Sequence, residues 1–363
     1  MKGALIGYGT IATGHHRAYL ELGKPRVTAV VDARPERWEA ARALDPRLAF
    51  YASLDDLLAT ETPDFVDICL PPSMHLPHIM RALDAECHVL CEKPFLPDLA
   101  SFDQLLERAA ASDRFVYPSH NYKFSPVMRR LVREVRSPAF GGLLRGFFLT
   151  RRKGHARGVP EWRPDWRREP ELSGGGILQD HATHSVYLAC YLCNAAPEAV
   201  SCIVGNLCRN AFASTEDTAL MTLHFAGGTD IRLDLTWACE RRHTAYTLLG
   251  GGRNIVVEND RWLLSEGGSV KREEVVSDFD DPTHRAWFVN LLRDFVTNLG
   301  DGEKQQHLLR EAWITCAVIE AAYASARAGG IPVDVPSFPA ALAAGDASAA
   351  IQSALSAMWD PTR

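Results

Sequence analysis

The chain has 363 residues, 47% of them hydrophobic and 23% charged, with a formal net charge of −6. That length suits two domains and a large core better than one domain. The acidic balance argues against a general nucleic-acid binder, and no apolar run is long enough to span a membrane. Nine cysteines, an odd number, scatter through apparent strands and helices. They fit reduced thiols in a cytoplasmic protein better than a disulfide framework, and no signal-peptide pattern opens the sequence.

Lys2 to Ile6 is a short apolar run, enough for one buried strand. Gly7-Tyr8-Gly9-Thr10-Ile11-Ala12 then makes a tight turn, and Ala12 to Leu20 has the residues of a helix. Strand, glycine turn and helix in this order are the parts of a dinucleotide-binding βαβ unit. Gly7 permits the turn, Gly9 lets the main chain approach a pyrophosphate, and Ala12 lets helix and strand pack closely. Free N–H groups at the helix start would face the phosphates. Val27 to Val31 reads as a second strand, ended by Asp32, a carboxylate placed for the adenosine ribose hydroxyls. Asp32 favours NAD over NADP, although Arg34 and Arg37 stand close enough in sequence to receive a 2′-phosphate.

Helices are expected over Pro35–Leu44, Leu54–Leu58, His75–Ala85 and Leu99–Ala111, and strands at Phe50–Tyr51, Phe65–Leu70, His88–Cys91 and Phe115–Tyr117. This alternation predicts an α/β fold, a doubly wound parallel sheet with helices on both faces, over residues 1–121. Gly9, Asp32, Pro71, Glu92 and Asn121 all fall at or just after strand ends, where such sheets bind ligands.

After Tyr122 the pattern changes. Strands are expected over Gly146–Arg151, Ala199–Val204, Thr218–Phe225, Thr229–Trp237, Ala245–Leu249 and Ile255–Val257, several joined by short glycine turns. Helices are expected over Gln179–Leu192, His284–Asn298 and Leu308–Ala328, with Ile331–Val335 as a returning strand. Residues 122–336 therefore read as an α+β domain with a large, mostly antiparallel open sheet. One face of that sheet needs helices; the other suits a second subunit. The alanine-rich stretch 337–363 reads as a tail. Cys190 and Cys193 form a CxxC inside an apolar helical run with no second pair, so they read as packing residues and no metal site is expected.

Two stretches carry chemistry. Cys91-Glu92-Lys93-Pro94 follows a strand and sets Lys93 at the sheet edge, where its charge would stabilise a developing alkoxide. In Ser173-Gly174-Gly175-Gly176-Ile177-Leu178-Gln179-Asp180-His181-Ala182-Thr183-His184, Asp180 and His184 are spaced four apart and share a helical face, with His181 on another. Histidine suits proton transfer near neutral pH.

The motifs GYGTIA, LPPSMH, CEKPF, HNYKFSP, WRREPELSGGGILQDHATH, STEDTALMTLHF and DDPTHRAWF resemble, in this order, those of the Gfo/Idh/MocA oxidoreductases (glucose-fructose oxidoreductase, inositol dehydrogenase and relatives). The resemblance covers about residues 1–335. It implies a Rossmann domain, an open-sheet α/β domain, a nicotinamide cofactor and dimers or tetramers formed through that sheet. It further implies Lys93, Asp180 and His184 as catalytic residues, with His184 the acid/base. Gly7, Gly9, Thr10, Ile11, Asp32, Pro71, His75, Glu92, Lys93, Asn121, Trp166 and Arg167 match cofactor positions. Two departures stand out: Tyr187 replaces a frequent aspartate three residues after the histidine, and Ala182 a common glycine.

The expected reaction is hydride transfer between NAD and a secondary alcohol or ketone of a sugar, cyclitol or nucleotide-linked sugar. The nucleotide-linked option rests on Arg151, Arg152, Lys153, Arg157, Arg163, Arg167 and Arg168, crowded before the glycine run. The alternatives are a glycosidase that recycles NAD and a non-catalytic NAD-binding regulator.

Overall fold

β1 (Lys2–Ile6) is the central strand of the first sheet, buried from Gly3 to Ile6. In this computed structural model, which describes residues 1–207, 214–279 and 284–339, the chain runs on through α1 (Thr10–Leu22), β2 (Arg26–Val31), α2 (Pro35–Leu44), β3 (Ala49–Tyr51), α3 (Leu54–Thr60) and β4 (Phe65–Ile68). α4 (His75–Asp84), β5 (His88–Cys91), α5 (Leu99–Ala110) and β6 (Val116–Pro118) complete the unit. The strand order is β3-β2-β1-β4-β5-β6, and every pair is parallel. The order reverses between β1 and β4, which opens a crevice at their carboxyl ends. Strands buried on both faces, such as β4 with all four residues inside, need continuous apolar runs rather than alternation.

α6 (Pro126–Val135) leads to the second sheet. Ser125 caps it by accepting the Met128 N–H at 3.1 Å, and Pro126 occupies its first turn. β7 (Leu143–Lys153) is followed by a short α7 (Pro170–Ser173), a π-helical turn over Leu178–Ala182, and α8 (Thr183–Cys193). The remaining elements are β8 (Ala199–Gly205), β9 (Thr218–His224), β10 (Asp230–Thr236), β11 (Ala238–Gly250), β12 (Arg253–Glu258), β13 (Arg261–Glu266), β14 (Ser269–Glu274), α9 (Arg285–Thr297), α10 (Gly302–Arg327) and β15 (Val333–Asp334). Nine strands pair in the order β14-β13-β12-β11-β7-β10-β9-β8-β15, all antiparallel except β7 with β10.

α6, β13 and β14 are additions to the sequence reading, and β11 is longer than the expected Ala245–Leu249. The expected helix from Gln179 begins instead as a π turn. Most of the expected tail, residues 340–363, lies outside the described residues, as do the first four residues of the DDPTHRAWF stretch.

The second core packs α8 and the later part of α10 against the sheet's inner face. α9 and the earlier part of α10 bury Phe288, Phe295, Leu309 and Trp313 among residues of the first sheet's helices and strands. A cut near residue 122 therefore separates the two sheets but not the two cores. This return of the chain packs α10 against both β6 of the first sheet and β8 of the second.

Candidate active site

The glycine turn leaves a cradle at the start of α1. Gly7 has φ +82°, and a Cβ there would sit 2.6 Å from the Leu70 side chain. Beside Gly9, a Cβ would meet nothing within 4 Å, so the space is open. Gly9 caps α1 without any side-chain hydrogen bond, so the first-turn N–H groups at Thr10 and Ile11 point at that space unsatisfied by a cap. Asp32 follows β2 with a buried carboxylate that accepts the Tyr8 N–H at 2.9 Å. These residues fit a dinucleotide: donors for the pyrophosphate, a carboxylate for the ribose. Arg34 grips Asp32 through Nε and Nη2, each at 2.9 Å, while Arg37 donates to the Tyr8 carbonyl at 2.9 Å and faces Glu161 at 3.4 Å. Both arginines that bear on a 2′-phosphate are already engaged by carboxylates.

Glu92 and Lys93 follow β5. Glu92 is buried and accepts from Ser119 Oγ at 2.8 Å and from the Lys93 N–H at 3.2 Å. His15, on α1, bridges Glu92 (3.2 Å) and Asp67 of β4 (2.8 Å). Burial opposes a charge on that ring, but Asp67 first and Cys69 after it outweigh burial and raise its pKa well above the ordinary value, so the imidazole is protonated. The pair of acids and the imidazolium thus fix the backbone that carries Lys93. His75 is fully buried, with its ring nitrogens on the carbonyls of Phe95 (2.9 Å) and Leu70 (2.8 Å). Its side chain holds the loop containing Pro71 against the segment after Lys93.

Lys93 reaches across to the π turn. Its Nζ lies 2.9 Å from Asp180 Oδ1 and 3.2 Å from the Asp180 carbonyl. Arg167 Nε stands 3.7 Å from the same Oδ1, under the Trp166 ring, which its guanidinium faces at 4.2 Å. His181 Nδ1 is 3.0 Å from Asp180 Oδ2. Burial by itself raises the Asp180 carboxyl, yet Lys93, His181 and Arg167 together hold it well below the usual range. His184, the first full turn on, has Nδ1 2.7 Å from the Tyr187 hydroxyl and its ring 4.0 Å from that of Tyr122. Burial first, then the Lys93 and His181 charges, lower its pKa well below the ordinary value, so the ring is neutral. Asn121 begins the short helical turn that carries Tyr122 and is itself buried.

The structure therefore brings Lys93, Asp180, Arg167 and His184 together, and adds His181, which the sequence reading set on a different face. The π turn is the reason: its wider winding alters the angular spacing that an α-helix would give. Gly7, Gly9, Thr10, Ile11 and Asp32 gather at the opposite end of the crevice. Of the basic segment only Arg167 joins this cluster. Arg151 faces Asp234 (3.8 Å), Lys153 Glu240 (3.7 Å), Arg157 Asp165 (3.0 Å) and Arg163 Glu169. Arg152 is buried and donates to the carbonyls of Arg151 and His243, and Arg168 lies buried beneath Trp237. These charges are spent within the protein.

The glycine run before the π turn is a packing device. A Cβ on Gly176 would lie 2.0 Å from the Glu216 carbonyl oxygen, and one on Gly175 2.0 Å from the Tyr323 hydroxyl. The closeness lets Glu216 Oε1 accept the Gly176 and Leu178 N–H groups at 3.0 and 2.9 Å, capping the turn that presents Asp180. Gly176→Ala is expected to cost about 1–3 kcal/mol in urea unfolding, because backbone rather than a flexible side chain must move.

Residues 1–120 match the oxidoreductase family with an NAD-binding Rossmann fold, and residues 129–255 match the GFO/IDH/MocA C-terminal domain. Among curated relatives, D-glucoside 3-dehydrogenase of Escherichia coli K12 is 28% identical over 196 residues, an alignment spanning 53% of this chain and 54% of that protein. The chain thus covers only about half the length of that relative. D-apiose dehydrogenase of Paraburkholderia graminis is 25% identical over 347 residues, 90% of this chain and 88% of the relative. An oxidoreductase from Agrobacterium radiobacter, solved with NAD+, L-tartaric acid and magnesium, superposes with a TM-score of 0.80 at 20% identity, covering 92% of this chain and 98% of that one. That likeness shows the same fold. With matches running through both sheets, the chain belongs to the Gfo/Idh/MocA family of oxidoreductases, and its first domain is the NAD-binding one.

Proposed function

We propose that this protein is an NAD-dependent dehydrogenase acting on a secondary alcohol of a sugar or cyclitol, or reducing the matching ketone. The single observation that carries the reading is the Lys93–Asp180 ion pair beside the neutral imidazole of His184, at the carboxyl edge of the sheet that holds the cofactor cradle. Two relatives named as sugar dehydrogenases support the substrate class. NAD, when bound, supplies the hydride acceptor. Gly7, Gly9, Thr10 and Ile11 would hold its pyrophosphate and Asp32 its ribose; Pro71, Glu92, Asn121, Trp166 and Arg167 would border the nicotinamide half.

The side chains divide the remaining work. His184 removes the hydroxyl proton as general base. The Lys93 ammonium stabilises the oxygen as negative charge develops. Asp180 holds Lys93 in place and orients the reacting alcohol. The retention of all three groups in one buried cluster favours an enzyme over a regulator. The internal pairing of the basic segment favours an unphosphorylated substrate over a nucleotide-linked one. Exposed Phe147, Ile203 and Leu220 on the outer face of the second sheet support a homodimer or homotetramer built on that face. The free thiols, Cys69, Cys87 and Cys91 among them, support the cytoplasm as its place.

The test is a screen of neutral sugars, cyclitols and nucleotide sugars with NAD and with NADP, following the ultraviolet absorbance of the reduced nicotinamide. Net reduction of NAD by a neutral sugar or cyclitol is expected, with NADP much poorer. Sugar release without net reduced nicotinamide would replace this reading with the glycosidase.

A further inference from the structure

Tyr187 lies one turn beyond His184 on α8 and is fully buried. Its hydroxyl oxygen accepts the Tyr122 N–H at 3.2 Å and meets His184 Nδ1 at 2.7 Å. Its ring stacks on His120, centroids 4.1 Å apart and planes 15° from parallel. His120 Nδ1 in turn lies 2.6 Å from Glu311 Oε1 on α10, and Lys123 Nζ donates to both oxygens of Glu311 at 2.8 and 2.9 Å. The phenol is therefore fixed from three sides: its own helix, the turn over Asn121–Phe124, and α10. With Tyr122 covering one face of the imidazole and Tyr187 taking Nδ1, His184 has a single ring nitrogen left for chemistry.

We propose that Tyr187 is the positioning residue for His184: its hydroxyl, anchored by the Tyr122 N–H, takes Nδ1 and so presents Nε2 to the substrate oxygen. The proposal rests on the dehydrogenase reading for its kinetic consequence, though not for the contact itself. The aspartate often found at this position in the family only accepts a hydrogen bond and stabilises a charged ring. A hydroxyl donates to a bare Nδ1 or accepts from Nδ1–H, so the contact persists in either ring state without adding charge beside it. The ionisable groups that face His184 are Lys93 after β5, Asp180 and His181 in the π turn, Tyr122, and His284 ahead of α9; those that face Tyr187 are Tyr122, His120, Glu311 and, from β11, Tyr246.

Two variants and one spectroscopic probe test this. Tyr187→Phe is expected to leave NAD affinity, read by fluorescence titration, within about twofold, and to lower kcat by about 10- to 100-fold with little change in KM, because the ring is free to turn. Tyr187→Asp is expected to recover part of kcat while moving the acid limb of its pH profile up by about one unit, since an anion now favours the charged imidazole. The ring-nitrogen NMR signals of His184, assigned by their loss in His184→Gln, should shift in Tyr187→Phe. Should the phenylalanine variant not fold, 3-fluorotyrosine placed at 187 by nonsense suppression keeps the shape, acidifies the hydroxyl, and should move the same signals. Unmoved signals, or wild-type kcat in Tyr187→Phe, overturn the proposal. If no alcohol is oxidised by the wild type, the dehydrogenase reading falls, while the NMR signals still decide the role of Tyr187.

Discussion

Lys93→Met is expected to lower kcat/KM by about 10³-fold while NAD still binds. Two effects add. Loss of one preorganised cation at a developing oxyanion costs about 10²- to 10³-fold in similar sites. Loss of the Asp180 tether also lets the substrate oxygen wander from its productive position. The same change leaves Asp180 buried with only His181 at 3.0 Å and Arg167 at 3.7 Å to balance it. Breaking a buried pair from one side typically costs about 3–5 kcal/mol. Here the Arg167 guanidinium and the His181 hydrogen bond should hold the loss toward the lower figure. The double variant Lys93→Met with Asp180→Asn separates the two effects. It removes the stranded charge, so unfolding in urea should return toward wild type while kcat/KM stays low. A Lys93→Met enzyme with normal turnover and intact NAD binding would remove the ammonium from the chemistry.

Much of this arrangement was legible before any coordinates. A parallel strand is buried on both faces, so FVDICL and HVLC announce themselves as unbroken apolar runs, and glycine at a positive φ marks the turn after β1. The edge strand β14 was silent because SVKREE faces water and carries charges where alternation should be, and β13 beside it, RWLLSE, buries Trp262 but blurs the alternation with two adjacent leucines. α6 did carry a signal: Ser125 and Pro126 ahead of a 3.6-residue apolar pattern are a helix start. Lys93 and Asp180 could be named from motifs, yet no spacing rule joins residues 87 positions apart. The neutralised arginines show the same limit from the other side. Seven basic residues in one segment read as an anion site until four are found facing carboxylates, Arg152 on carbonyls, Arg168 against Trp237 and Arg167 beside Asp180. Tyr187 stood out only as a departure, and its partner atom became visible once α8 and the Asn121–Phe124 turn were set side by side.

His184→Gln is expected to reduce kcat for alcohol oxidation by about 10²- to 10⁴-fold, the usual contribution of a positioned general base, with NAD affinity unchanged. The pH dependence follows from the sign of the histidine shifts. In the folded protein both His184 and His181 lie below the ordinary value of 6.5, His181 at about 4, with burial the main cause for each. A base with a lowered pKa is in its working form throughout neutral pH, so wild-type kcat should stay level through pH 6.5 and fall only well into acid. Stability runs in the same direction. Below 6.5 the unfolded chain binds protons that the folded imidazoles refuse, so the full contribution is present above that pH and drains away as pH falls toward 4. Removing His184 removes its share of that proton uptake. Urea unfolding of His184→Gln should therefore lose stability less steeply than wild type between pH 6.5 and 4, while its turnover remains low at every pH. A variant that tracked the wild-type acid slope would mean that burial does not shift the imidazole at 184, and wild-type kcat should then already fall as pH drops through 6.5 instead of staying level.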